Sequence, residues 1–215
     1  MVHHFCFASF LQTDNFLKSA RKIALFDFDG TLTYKDSMFE FIVFYHGVRW
    51  FYAGMLFLSP FLILHKLGIV GAQTAKEKVL TFFFKDVSLN VFIKKSTEFS
   101  IARIPKIIRQ SALNELRDLQ SSGVEIFVVS ASASLWIEPW CTQEKIQLIA
   151  TELEIKNDAI TGKIAGNNCN GAEKAERVKR ILSNSDYKIV SAYGDSRGDK
   201  EMLSLAEKKY YKHFI

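Results

Sequence analysis

The chain has 215 residues and a mass of 24.6 kDa, enough for one domain or one domain carrying an insert. Hydrophobic residues at 48% and charged residues at 24% supply a core, while 3 prolines and 11 glycines exclude collagen-like and low-complexity architectures. The 28 basic against 23 acidic residues leave +5, which suits a phosphorylated substrate or an anionic membrane surface but gives no case for nucleic acid.

Residues 1–21 form an N-terminal extension. No Lys or Arg precedes the apolar residues 5–11, and no long apolar run or small-residue cleavage site follows, so a short helix or frayed segment is expected rather than a secretory leader. Residues 23–26 (IALF) are a short apolar run ending in Asp27-Phe28-Asp29-Gly30-Thr31, a strand that delivers polar groups into a turn. Residues 34–105 break the strand–turn rhythm and read as several helices rich in Phe, Leu and Ile. Within them, residues 50–65 (WFYAGMLFLSPFLILH) carry no formal charge between Arg49 and Lys66. Sixteen residues reach only about 24 Å as a helix, short of the ~30 Å hydrocarbon core, and Pro60 interrupts them. A buried helical hairpin inside a cap is the first expectation for this run; an element that rests on a membrane surface is the second.

Beyond the insert, a helical pattern over 107–121 leads to the apolar run 124–129, which ends in Ser130-Ala131-Ser132. Residues 155–164 read as a β-hairpin appended to the sheet. A helix over 173–182 precedes the run 188–193, which ends in Gly194-Asp195-Ser196. Residues 210–214 suit a last edge strand. Strands alternating with helices imply right-handed crossovers and a parallel sheet, whose ligand sits outside the carboxyl ends of the strands. All three apolar runs place acidic or hydroxyl residues at that end. Cys6, Cys141 and Cys169 are odd in number and lack metal-ligand spacing, which fits a reducing, cytoplasmic compartment.

The polar strand ends carry recognisable chemistry. Asp27 and Asp29 stand two apart. One carboxylate can attack phosphorus while its neighbour protonates the leaving oxygen and later deprotonates water. Asp195 and Asp199, four apart, suit a hard cation such as Mg²⁺ with oxygen ligands. Ser130 and the amides of Ala131 and Ser132 suit an anion where a strand meets a helix, and Lys174 could neutralise both a phosphate and Asp27. Taken singly, these groups read equally well as caps, turns or solvated surface.

The motifs DFDGT (27–31), VVSAS (128–132), NGAEK (170–174) and GDSRGD (194–199), in that order, resemble the haloacid dehalogenase superfamily. The helical insert directly after the first motif, with the form GDSxxD, is similar to its phosphoserine-phosphatase-like branch, subfamily IB. The resemblance implies an α/β, Rossmann-like core over residues 22–33 and 106–215 and an all-helical cap over 34–105. It implies Asp27 as nucleophile and Mg²⁺ ligand, and Asp29 as general acid/base that also binds Mg²⁺ through its backbone carbonyl. Thr31, Ser130, Ala131 and Lys174 would hold the phosphoryl group, Asp195 would bind Mg²⁺, and Asp199 would support that ligand. Asp36 falls where phosphoserine phosphatases hold the substrate amine, though it equally suits an N-cap for a helix starting near Ser37. No arginine lies between Trp50 and Ala102, where such enzymes hold the substrate carboxylate. Some members with apolar inserts act on phosphatidylglycerophosphate, so the implied partner is a phosphorylated small molecule or lipid. The implied location is the cytoplasm, with peripheral or anchored contact at the inner membrane face as the variant. A phosphotransferase and an inactive binding module remain the alternative readings.

Overall fold

The computed structural model describes residues 20–183 and 186–215; the reading of the N-terminal segment, Cys6 included, lies almost entirely outside them. β1 (Arg21–Phe26) runs into a wide helical turn over Phe28–Leu32. Four helices follow: α1 (Ser37–His46), α2 (Val48–Lys66), α3 (Ala72–Phe84) and, after the two-residue β2 (Val87–Ser88), α4 (Leu89–Ala102). The chain returns through the short α5 (Ile104–Ile107) and α6 (Gln110–Ser121) to β3 (Glu125–Ala133). Then come α7 (Ser134–Gln143), β4 (Gln147–Thr151), β5 (Leu153–Lys156), β6 (Ala159–Ile164) and α8 (Ala172–Leu182). β7 (Tyr187–Gly194), a single turn over Arg197–Asp199, α9 (Lys200–Ser204) and β8 (Lys208–Tyr211) complete the fold.

Five strands form one parallel sheet in the order β4-β3-β1-β7-β8. β1 is the middle strand, so Asp27 leaves the sheet between the ends of β3 and β7. The apolar runs are continuous because both faces are covered. Alternation then divides each strand between two cores. Ile23, Leu25, Phe127 and Val129 meet Val178, Leu182 and Met202 on one face. Ala24, Phe26, Ile126 and Val128 join the aromatic core of the insert on the other.

That second core explains most of the phenylalanines. Phe41 lies 5.1–5.4 Å, ring to ring, from Phe84, Phe92, Phe99 and Trp136, so helices of the insert and α7 share one aromatic centre. The insert leaves and returns at adjacent points: Tyr34 N–H donates to Ile107 O (3.0 Å) and Arg109 N–H to Leu32 O (2.7 Å).

Four features differ from the sequence reading. The insert is helical except for β2, which pairs with β6. The hairpin β5–β6 therefore belongs to a separate three-stranded sheet with β2 instead of extending the main one. β4 was not foreseen, because its five residues carry no turn residue on their amino side; it pairs with β3 at the sheet edge. Most consequentially, residues 50–65 are neither interrupted nor a buried hairpin. They lie in one uninterrupted helix, α2, with Pro60 inside and only Gly54 and Leu58 buried.

Candidate active site

The site is assembled at the carboxyl ends of β1, β3 and β7, as parallel-sheet topology requires. Asp27 directly follows β1 and is buried, at 5% exposure. The turn after it needs a positive φ of 88° at Gly30, and a side chain there would overlap the Asp195 carboxylate. Glycine lets the two acidic strand ends approach. Thr31 Oγ1 lies 3.3 Å from both Asp27 Oδ2 and Asp195 Oδ1, between the two acidic strand ends.

Lys174, in the first turn of α8, is 2% exposed and bridges two carboxylates, with Nζ 2.5 Å from Asp27 Oδ1 and 2.5 Å from Asp199 Oδ1. Burial alone would lower its pKa, but the two facing carboxylates outweigh burial and raise it. Burial dominates at Asp27, lifting its carboxyl to about 7 against the pull of Lys174. Burial also acts on Asp199, yet Lys174 overcomes it and holds that carboxyl below the usual range. The other Asp199 oxygen is saturated: Oδ2 accepts from Ser196 N (2.9 Å), Ser196 Oγ (2.7 Å) and Asp195 N (3.2 Å). A side chain so engaged fixes the Asp195 loop rather than reaching outward.

Asp29 points to the other side of the turn. Its Oδ1 accepts from Ser37 N at 2.7 Å, at the start of α1, and its Oδ2 accepts from Ser132 Oγ in β3. The second carboxylate is thus held jointly by core and insert. Ser130 is fully buried, and its Oγ accepts from Ser132 N (3.0 Å) within a bulge near the end of β3. Asp36 caps α1 by accepting from Phe39 N (3.1 Å), the plainer of its two expected roles. Asp36 is exposed at the surface; its carboxyl is pushed up to about 6, chiefly by the neighbouring protein that reduces its hydration, with the nearby Asp29 charge adding.

Carboxylate oxygens of Asp27, Asp195 and Asp199 lie within 4.8 Å of one another. Such an all-oxygen cluster fits a hard divalent cation. The Asp29 side chain is not part of that cluster.

Lys76 is the functional candidate that the sequence reading missed. From α3 its Nζ donates to Ala131 O (2.8 Å) and Asn168 Oδ1 (3.1 Å), bringing a cation from the insert to the Ser130–Ser132 bulge of β3. Burial lowers its pKa, while Asp29 and Asp36 work against that. A signal was present: Lys76 sits in the stripe Ala75, Val79, Leu80, Phe83 that α3 buries, where a solvated lysine has no place. Ser37 and Ser132, which position Asp29, left no such trace, because serines at element ends are common caps.

The comparisons agree with this geometry. A family model described as haloacid dehalogenase-like hydrolase matches residues 24–204. Protein CicA of Caulobacter vibrioides is 33% identical over 196 residues, covering 89% of this chain and 86% of that protein. A Bordetella pertussis Tohama I protein of unknown function superposes with a TM-score of 0.75 at 21% identity, over 88% of this chain and 89% of that one. A substrate-bound phosphoserine phosphatase superposes with a TM-score of 0.62 at 18% identity, over 89% and 86% of the two chains. These last two show likeness of fold. With the four motifs converging on one sheet edge and the family model spanning most of the chain, this protein belongs to the haloacid dehalogenase-like hydrolase family.

Proposed function

We propose that the chain is a phosphatase that hydrolyses phosphomonoesters through an aspartyl phosphate on Asp27, with Mg²⁺ as its cofactor. The observation that carries this reading is the buried Asp27, paired with Lys174 and grouped with two further carboxylates at the ligand end of the sheet. Asp27 and Asp195 would hold the cation, with the Asp29 backbone carbonyl as a further oxygen and Asp199 steadying the loop. When bound, the cation neutralises phosphoryl oxygens that would otherwise face an acidic pocket.

A carboxylate oxygen of Asp27 forms a bond to phosphorus as the ester P–O bond breaks. Asp29, held by Ser37 and Ser132, donates its proton to the departing alkoxide. The same carboxylate then takes a proton from water. That water attacks phosphorus, the bond to Asp27 breaks, and inorganic phosphate leaves with Asp27 restored. Ser130, the Ala131 amide, Thr31 and Lys174 position and neutralise the phosphoryl group, which is the main protein contribution to such a transfer.

The rest of the substrate meets the insert. There Lys76 is the cation beside the Ser130–Ser132 bulge, in an insert lacking the arginine used for a substrate carboxylate. Asp36 spends one oxygen on capping α1. Neither feature favours a small zwitterion, and the substrate is a phosphorylated small molecule or lipid. Hydrolysis of an aryl phosphate with Mg²⁺, lost on EDTA treatment and restored by the cation, tests the reading. Full activity in a metal-free preparation would remove the cofactor from it. A panel containing phosphoserine, lysophosphatidate and phosphatidylglycerophosphate then identifies the substrate class.

A further inference from the structure

α2 is apolar on two opposite faces, and the protein covers only one. Phe51, Gly54, Met55, Leu58 and Leu62 recur at helical spacing toward α1 and α3. Gly54 has no room for a side chain, since a Cβ would collide with the Phe83 ring. The other face carries Tyr52, Leu56 and Ile63, which are 57–75% exposed, and continues into Leu67 and Ile69 just beyond the helix at 68% and 69%. A helix apolar all round is ordinarily buried or in lipid. Scattered exposed hydrophobic side chains are commonplace, but a continuous row along one helix face is not.

Charge identifies the occupant. No Asp or Glu occurs between Glu40 and Glu77, while exposed Arg49 and Lys66 stand at the two ends of the helix. Among the described residues neither has an ion pair. A second copy of α2 packed antiparallel would set Arg49 against the partner copy's Lys66, with no carboxylate nearby to relieve the repulsion. An anionic bilayer instead complements both ends, and Trp50 and Tyr52 beside Arg49 are the residues that settle at headgroup depth.

We propose that α2 docks the protein on anionic bilayers, lying in the interface with its outer face among the acyl-chain ends and its inner face still on α3. The 19 residues are long and apolar enough to cross a membrane by length and composition. Spanning would nevertheless strip Gly54 and Leu58 from α3 and α1, the helices that bring Lys76 and Ser37 to the site. In the docked arrangement the protein body takes the place of the polar face of an ordinary interfacial helix.

The test is co-sedimentation of the full chain with vesicles of phosphatidylcholine containing phosphatidylglycerol, against pure phosphatidylcholine, at low and high salt. Binding is expected to the anionic vesicles, to weaken with salt, and to be accompanied by a blue shift of tryptophan emission from Trp50, since Trp136 and Trp140 are already buried. Leu56→Ser with Ile63→Ser should lower partitioning about 100-fold, near tenfold for each side chain withdrawn from the acyl region. Arg49→Gln with Lys66→Gln should abolish the preference for anionic lipid. Both variants should keep the wild-type unfolding midpoint and aryl-phosphate turnover, so this result is independent of whether the phosphatase reading holds. A wild-type protein that stays in the supernatant with anionic vesicles at low salt overturns the proposal. So does a concentration-dependent dimer that Leu56→Ser with Ile63→Ser dissolves, because the face would then be a contact between copies.

Discussion

The edge of the sheet and the outer face of α2 satisfy their side chains in opposite ways. At the edge, groups that are costly to bury are each answered. Lys174 meets Asp27 and Asp199, Asp199 meets Ser196 as well, and Asp29 meets Ser37 and Ser132. On α2, groups that are costly to expose are left in water, with Leu56 at 75% exposure beside Leu58 at 8%. Removing a partner at the edge leaves a buried charge uncompensated, whereas the outer face of α2 contributes little to holding the isolated protein together. Association is where its apolar area counts.

That contrast can be broken by substitution, beginning where the effect should be largest. Asp27→Asn removes the carboxylate proposed to attack phosphorus, and aryl-phosphate turnover is expected to fall by a factor on the order of 10⁴ or more. No phosphate should be trapped covalently on the acid-quenched variant, whereas Asp29→Asn should still accumulate some when the leaving group is good. Covalent phosphate on Asp27→Asn would displace Asp27 from its assigned role.

Lys174→Met tests whether the edge is a partnered network. It strands Asp27 and Asp199 without their shared cation, and urea unfolding of the metal-free protein should show a loss of about 3–5 kcal/mol. Phe41→Ala probes the shared aromatic core. It leaves a cavity among Phe84, Phe92, Phe99 and Trp136 and should cost about 3–5 kcal/mol, with cap and sheet unfolding in a single transition. Separate transitions would show that insert and core are energetically independent.

The two faces of α2 give the sharpest internal control. Leu58→Ala should cost about 2–5 kcal/mol, and Leu56→Ser, two residues away, less than about 0.5 kcal/mol. Equal costs would mean that the outer face is covered in the free protein. The smallest expected effect is chemical. Burial pushes the Cys141 and Cys169 thiols above their ordinary pKa, so neither should be alkylated by iodoacetamide until the protein is unfolded.

Much of the site was legible in the sequence because its residues end strands. Asp27, Ser130 and Asp195 each follow an apolar run, and a parallel sheet carries such ends to one edge whatever the loops do. Lys174 and Asp199 were legible through motif spacing. Lys76 was harder to see, since its place beside Ala131 depends on how α3 packs over the sheet. Its position within a buried stripe was the sole local hint. β4 and the pairing of β2 with β6 were equally nonlocal, being short segments defined only by their neighbours.

By itself, then, the order of apolar runs and polar strand ends determined a parallel α/β core with acidic groups gathered at one sheet edge and a helical insert after the first strand. Strand alternation and crossover handedness are local or chain-wide regularities that survive without coordinates. Tertiary structure alone decided which face of α2 meets protein and which meets solvent, and that the insert shares its aromatic core with the sheet. Residues 50–65 are apolar on every side, so periodicity held no phase from which orientation could be read. Close approach of Gly54 to the Phe82 and Phe83 rings on α3 selected the inner face and left the outer one uncovered.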